Sequence, residues 1–354
     1  MPDSLTTENS GEAVLPPLTE ILERAHVVTL PMAVRFRGVT TREALLIDGP
    51  AGWGEFAPFL EYDTAEASMW LRSALECAWR PLPTPLRTTV EVNGTIPAVA
   101  PAQVAEVVAR YPGCRTFKVK VAEPGQGLAE DIARVQAVRT AVRALQGREA
   151  ILRVDANRGW SVAEAIAAAH ELGPLEYMEQ PVATVAELAE VRRAVGNFCP
   201  IAADESIRRA ADPYLVAQAQ AADVGVMKVA PLGGPTRLLR LAGELNLRVT
   251  VASALDTAVG ISAGLYTAAA LPTKSDVAGA PSGGPNAAGL ATSSLFIEDV
   301  AEPLPLHDGT LPVQRVVPDP ARLADLAAVV ERRDFWFQRL RAAHEYLERM
   351  SRAQ

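Results

Sequence analysis

From about Pro101 to Ala270, short apolar runs alternate with Ala-rich amphipathic stretches. That rhythm predicts repeated strand-helix units around a parallel sheet. Strands are expected in CRTFKVKV, AILRVDAN, LEYMEQP, CPIAADES, DVGVMKV and LRVTVAS, with VEVNGTI (residues 90–96) supplying the first. Helices are expected over 128–145, 162–172, 185–195 and 235–245. Seven such strands close into a barrel or lie in an open doubly wound sheet, and periodicity alone does not choose between them.

Ahead of these repeats, VVTLPMAV and REALLID read as strands and residues 64–79 as a helix, the makings of an α+β domain. Past Phe296 the chain offers one amphipathic helix, over 334–350, expected to pack against that first domain. The expected divisions are a segment without stable structure over 1–20, an α+β domain over 21–89, the repeats over 90–300 and the tail over 301–354. Trp53 to Phe59, with Gly54 and Pro58, reads as a loop covering the pocket, so Phe56 is counted with the substrate-supporting residues, the alternative being that Phe56 and Phe59 are plain capping-domain core.

Composition narrows the function classes. A chain of 354 residues with 49% hydrophobic side chains can bury a large core, and no apolar run is long enough for a membrane span. The net charge of -8, without a dense Lys/Arg block, argues against nucleic acid as a partner. Cys77, Cys114 and Cys199 are far apart and lack CxxC spacing, so neither a disulfide framework nor a zinc site is expected. The opening MPDSLTTENSGEAV lacks the basic start and apolar run of a signal peptide, and a cytoplasmic enzyme is expected.

The chemistry lies at the strand ends. Asp155, Glu179 and Asp204 each close an apolar run, separated by 179 - 155 = 24 and 204 - 179 = 25 residues, one strand-helix unit per step. Acidic residues often open loops or cap helices. Three in phase, however, converge on one rim of a barrel, and an all-oxygen set without His or Cys suits a hard cation such as Mg²⁺.

Lys228 ends VGVMKV one unit further on, since 228 - 204 = 24. On the other side, Lys118 and Lys120 share one face of FKVKV by period-two alternation, and 155 - 120 = 35 allows one unit with a longer helix. A strand lysine can simply snorkel its ammonium to the surface. Paired inward lysines opposite three carboxylates instead suit base chemistry, because burial and neighbouring positive charge favour a neutral amine near neutral pH. Lys120 is read as the base, Lys118 as its tuner and Lys228 as the opposing cation. Together they fit proton removal beside a carboxylate, where two negative charges accumulate in an enediolate.

At Lys118-Val119-Lys120, Asp155-Ala156-Asn157, Glu179-Gln180-Pro181, Asp204-Glu205-Ser206 and Lys228, the sequence resembles the enolase superfamily, in its muconate-lactonizing-enzyme subgroup. The resemblance covers roughly residues 25–315. It implies a modified TIM barrel, (β/α)₇β, with an α+β capping domain built from the N-terminal segment and the C-terminal tail. It also implies Mg²⁺, with Mn²⁺ as a substitute, held by Asp155, Glu179 and Asp204.

RFRGVTTREALL, WGEFAPFLEYD, IAADESIRRAADP, KVAPLGG and AAGLAT narrow the likeness to a dehydrating branch, whose small-molecule carboxylate substrate becomes aromatic on losing water. Lys120 would remove the proton and then protonate the departing hydroxide, with Lys228 against the opposite face. Glu205 is expected to hold Lys228, or merely to start a helix. Asn157, Ser253 and Gly289 complete the supporting set; a strand-end Ser is also a common turn residue, and the Gly could equally mark a bend. Departures are Asp256, where close relatives are expected to carry Glu, and the Gly/Pro-rich residues 272–286. The same lysines suit an N-acylamino acid racemase or dipeptide epimerase, and an inactive barrel serving as a binding protein is the alternative from another class. Oligomeric state is not legible.

Overall fold

The strand-helix repeat places one short parallel strand after another, and each has hydrogen-bonded neighbours on the same sheet. The computed structural model describes residues 15–36, 39–209, 212–245, 247–272 and 286–353. In chain order the first domain comprises α1 (Leu18–Glu23), β1 (Ala25–Phe36), β2 (Val39–Gly49), β3 (Gly52–Phe56) and α2 (Thr64–Trp79). The repeats comprise β4 (Thr89–Glu91), β5 (Asn93–Ile96), α3 (Val104–Ala109), β6 (Thr116–Lys120), α4 (Leu128–Gln146), β7 (Ile151–Asp155), α5 (Val162–Glu171) and β8 (Tyr177–Glu179). They continue with α6 (Val185–Val195), β9 (Ile201–Ala203), α7 (Asp212–Gln218), β10 (Val224–Lys228), α8 (Pro235–Glu244), β11 (Arg248–Ala252) and α9 (Ala258–Ala270). The tail adds β12 (Thr310–Pro312), α10 (Pro320–Asp325) and α11 (Val330–Ala353).

Strands β5 to β11 form one parallel sheet in sequence order. Its two edges meet through Ala288 and Gly289. Gly289 N donates to Val251 O at 2.8 Å, and Asn93 N donates to Ala288 O at 2.9 Å, so a short eighth stave closes a modified (β/α)₇β barrel. A Cβ on Gly289 would lie 3.1 Å from that of Ala252, which explains the glycine in a stave this close to its neighbour.

Outward strand residues such as Phe117, Val119, Leu152 and Val154 are buried against the helices. Inward ones include Tyr177, Ala202, Val224 and Val226. Arg153 plugs the interior, with Nε 2.6 Å from Glu176 Oε2, Nη1 2.9 Å from Asn93 Oδ1, and the guanidinium 4.8 Å from the Tyr177 ring centroid.

The capping domain stacks α2 on the antiparallel sheet β1-β2-β3. Asp63 starts α2 by accepting from Glu66 N, and Ala67, Trp70, Leu71 and Ala74 form its buried face. Helix α11 packs on α2, and its Trp336, Leu340, Ala343 and Leu347 share the capping core.

Several expectations are corrected. VEVNGTI is not one strand: it breaks at Val92, and its first half pairs antiparallel with β12 outside the barrel sheet. WGEF is not loop but β3, paired with β2 by Leu46↔Glu55, and the covering loop begins only after Phe56. Phe56 therefore packs edge-on against Trp336, 5.9 Å between centroids, in the capping core rather than on the pocket. Residues 18–20 belong to α1, whereas 1–14 and most of the Gly/Pro-rich stretch, 273–285, lie outside the described residues. Among the described residues no helix is long and apolar enough to cross a membrane.

Candidate active site

Five strand ends supply the charged groups. Lys120, Asp155, Glu179 and Lys228 are the last residues of β6, β7, β8 and β10, and Asp204 directly follows β9. Because the strands lie side by side in that order, the three carboxylates stand between the β6 lysines and Lys228. Lys118, Lys120, Asp155, Asn157, Asp204 and Lys228 line one pocket, walled by Phe59, Ser253, Leu255, Gly289 and Thr292.

Lys118 Nζ donates to Glu179 Oε1 at 2.8 Å and lies 3.1 Å from Asp155 Oδ2. Burial alone lowers the Lys118 pKa, but Glu179 and Asp155 outweigh it and hold the ammonium above the ordinary lysine value. Lys120 Nζ donates to Asp155 Oδ2 at 2.6 Å and to Asn157 Oδ1 at 2.5 Å. Asn157 adopts a left-handed φ of 43° and turns its Nδ2 to Glu205 Oε1 at 3.0 Å. Glu205 also accepts from Arg208 at 3.1 Å.

On the far side, Lys228 Nζ is 2.6 Å from both Asp204 oxygens. Arg208 grips the same carboxylate with Nε at 3.1 Å and Nη2 at 2.8 Å. Burial opposes ionisation of Asp204, yet Arg208 and Lys228 reverse it and hold the carboxyl well below the usual range. Asp155 behaves alike: burial raises it, and Lys120 and Lys118 more than offset that.

Glu179 is the exception. Burial, then the charge of Asp155, pushes it up to about 7, and its Oε2 is buried with no hydrogen-bond partner among the described residues. A buried oxygen left without a partner carries a desolvation cost that a cation would remove. The oxygen-only donor set of Asp155, Glu179 and Asp204 thus fits a hard divalent ion. Among the described residues no three His, Cys, Asp or Glu side chains already enclose one point. Lys118 and Lys228 lie on the carboxylates instead.

Sequence reasoning named the charged positions but missed the residues that hold them. Gln180 has a role in the MEQP motif: its buried Oε1 accepts from Asp204 N at 3.0 Å and Ser206 N at 3.1 Å, fastening the Asp204 loop to β8. Arg208, four residues past Asp204, was legible only as part of a motif. Thr292, whose Oγ1 lies 2.9 Å from Ser253 Oγ, sits three residues beyond Gly289 in AAGLAT.

Two family models match the chain: Enolase N-terminal domain-like over residues 27–78 and Enolase C-terminal domain-like over 100–317. The o-succinylbenzoate synthase of Mycobacterium tuberculosis is 57% identical over 337 residues, covering 94% of this chain and 98% of that protein. The one from Mycolicibacterium smegmatis is 56% identical over 333 residues, 93% and 98% covered. Among solved structures, the muconate lactonizing enzyme of Pseudomonas fluorescens superposes with a TM-score of 0.71 at 23% identity, covering 86% of this chain and 98% of that one. The L-Ala-D/L-Glu epimerase of Bacillus subtilis gives 0.67 at 24%, covering 81% and 94%. These two likenesses establish the fold alone. With both domains matched and relatives more than half identical along nearly its whole length, the chain belongs to the enolase superfamily, in its o-succinylbenzoate synthase family.

Proposed function

We propose that this hydro-lyase forms o-succinylbenzoate by removing water from 2-succinyl-6-hydroxy-2,4-cyclohexadiene-1-carboxylate, a step of menaquinone biosynthesis. The observation that carries the residue roles is the placement of Lys118 and Lys120 across from Lys228, on one pocket, with three buried carboxylates between them.

The amine of Lys120 takes the proton from the ring carbon beside the carboxylate. The C–H electron pair moves into the carboxylate, giving an enediolate. Lys228 presents its ammonium from the opposite side and stabilises the charge as it develops. The electron pair then returns, the C–O bond to the neighbouring hydroxyl breaks, and the Lys120 ammonium gives back its proton so that water leaves. The ring becomes aromatic. Lys118 keeps a positive charge beside Lys120.

Enzymes of this superfamily are generally divalent-metal dependent. Magnesium is the ion this reading names, with manganese able to replace it, and Asp155, Glu179 and Asp204 would hold it. When bound, such an ion neutralises negative charge on the substrate carboxylate. Phe59 and Leu255 wall the pocket with apolar surface suited to a carbocycle, while Ser253, Thr292 and Gly289 supply polar or close-approach positions for the carboxylates. The partner is this small molecule. Three free buried cysteines suit a reducing cytoplasm.

The test monitors loss of the cyclohexadiene absorbance with Mg²⁺ added, with o-succinylbenzoate identified by mass. Lys120→Ala should abolish turnover while the far-UV circular dichroism stays unchanged. Retained turnover would overturn the base assignment. Wild-type protein that leaves the diene intact but exchanges and racemises N-succinyl amino acids in D₂O would replace the dehydratase reading with the racemase one.

A further inference from the structure

The segment that covers the pocket, residues 57–62, offers four backbone carbonyls to two arginines. Arg42 on β2 donates through Nη2 to Ala57 O and lies under the Phe59 ring, 4.6 Å from its centroid. Arg339 on α11 donates to Pro58 O at 2.9 Å, to Phe59 O at 2.5 Å and to Tyr62 O at 2.9 Å. A loop whose carbonyls are bound by planar, permanently charged forks has few alternative conformations.

Arg42 reaches further. Its Nε donates at 3.1 Å to Leu255 O, in the loop between β11 and α9. Leu255 holds a left-handed φ of 64°, rare for a residue with a branched side chain, so something outside the loop must hold it there. The same loop is gripped from the adjacent capping strand: Glu55 accepts from Thr257 Oγ1 at 2.6 Å and from Gly260 N at 3.0 Å. Phe59 and Leu255, the pocket walls fixed through these contacts, both line the space containing Lys120 and Lys228.

We propose that Arg42 and Arg339 are positioning residues that make the covering loop a fixed wall, and that Arg42 alone couples this wall to the barrel loop carrying Leu255. Neither arginine belongs to the set of residues lining the pocket. Their contribution to catalysis, which rests on the dehydratase reading, is to set the gap between Phe59 and Leu255 to the thickness of a carbocyclic substrate.

Hydrogen exchange on the full-length protein tests the coupling without reference to any substrate. Arg339→Met should speed amide exchange at least tenfold in peptides covering residues 57–62, leaving 254–260 unchanged. Arg42→Met should speed both segments together, while peptides spanning β6 and β7 keep wild-type protection. Exchange in Arg42→Met that rises in one segment alone, in neither, or throughout the barrel would overturn the coupling. With the diene as substrate, both variants should raise KM about tenfold with kcat within about threefold of wild type, and Arg42→Lys, able to reach one carbonyl, should recover part of the loss. A loss confined to kcat, or equal recovery by Arg42→Ala, would overturn the positioning role. Failure of the dehydratase reading would instead show as absent turnover in wild type, with the exchange pattern intact.

Discussion

Lys228 and Asp204 form a two-pronged ion pair, the ammonium 2.6 Å from each carboxylate oxygen, and Arg208 grips the same carboxylate from its own loop. Asp204 therefore keeps a cationic partner when Lys228 is removed. Lys228→Ala should fold, and it should lose about 10²- to 10³-fold in kcat, the usual cost of deleting one preorganised charge stabiliser. Steady-state kinetics with the diene checks this. A loss below tenfold would remove Lys228 from the charge-stabilising role.

Glu179 makes a different prediction, because its Oε2 is buried without a partner and its carboxyl is pushed up to about 7 by burial and Asp155. If Glu179 is a metal ligand, Mg²⁺ should raise the wild-type melting temperature in proportion to the logarithm of its concentration above Kd. Glu179→Gln should lose most of that shift while melting cooperatively without metal. A wild-type melting temperature indifferent to both Mg²⁺ and EDTA would count against the site.

These two cases mark what the sequence could and could not reveal. Asp155, Glu179, Asp204 and Lys228 were legible because strand-helix units of 24 or 25 residues bring each strand end to the same rim, and Lys120 ends the strand one longer unit, 35 residues, before Asp155. The capping wall was not. WGEF looked like loop because Gly54 lies within it and Pro58 follows closely, yet pairing with β2 extends the strand to Phe56 and leaves Phe59 as the pocket residue. VEVNGTI reads as one run, but Val92 N bonds to Gly309 O and the chain changes partners there. Arg42, Arg339 and Thr292 make their contacts to residues far away in sequence, and although Arg42 and Thr292 lie within RFRGVTTREALL and AAGLAT, nothing in those runs gives the partners.

Asp299 should set a pH dependence remote from the chemistry. Its carboxylate accepts from Ala258 N at 3.0 Å and Val300 N at 2.7 Å, and burial raises it from 3.8 to about 6. A raised carboxyl pKa means the folded state holds a proton that the unfolded state releases, so stability falls as pH rises from about 4 through 6. The penalty is complete above that window and amounts to about 3 kcal/mol at most, from 1.36 kcal/mol per unit. Asp299→Asn should flatten this part of the profile. Urea unfolding at intervals from pH 4 to 7 is the measurement, and parallel curves for variant and wild type would refute it.

Ser253 and Thr292 face the pocket with their hydroxyl oxygens 2.9 Å apart, one donating to the other. The hydroxyl that accepts in this pair keeps its own O–H to donate to a substrate carboxylate, and the other holds it in place. Ser253→Ala should raise KM severalfold, by about 1 kcal/mol for one lost hydrogen bond, and change kcat less than KM. An unchanged KM would make the pair a brace for the closing stave rather than a binding element.

Arg153 bears the largest expected stability effect. Its side chain is fully buried in the barrel interior, tied to Glu176, to Asn93 and to the Ala287 carbonyl next to the closing stave. Arg153→Ala would leave a cavity and strip Glu176 of its cation. Breaking a buried pair from one side costs about 3–5 kcal/mol, and because Glu176 retains 21% exposure the lower end applies. Arg153→Met fills most of the space and should cost less, and adding Glu176→Gln to it should recover stability further, since no unpaired carboxylate then remains. Denaturant midpoints for the three proteins decide the matter: if the double variant is no more stable than Arg153→Met, the cost lies in the lost ties to Asn93 and the stave rather than in the stranded charge.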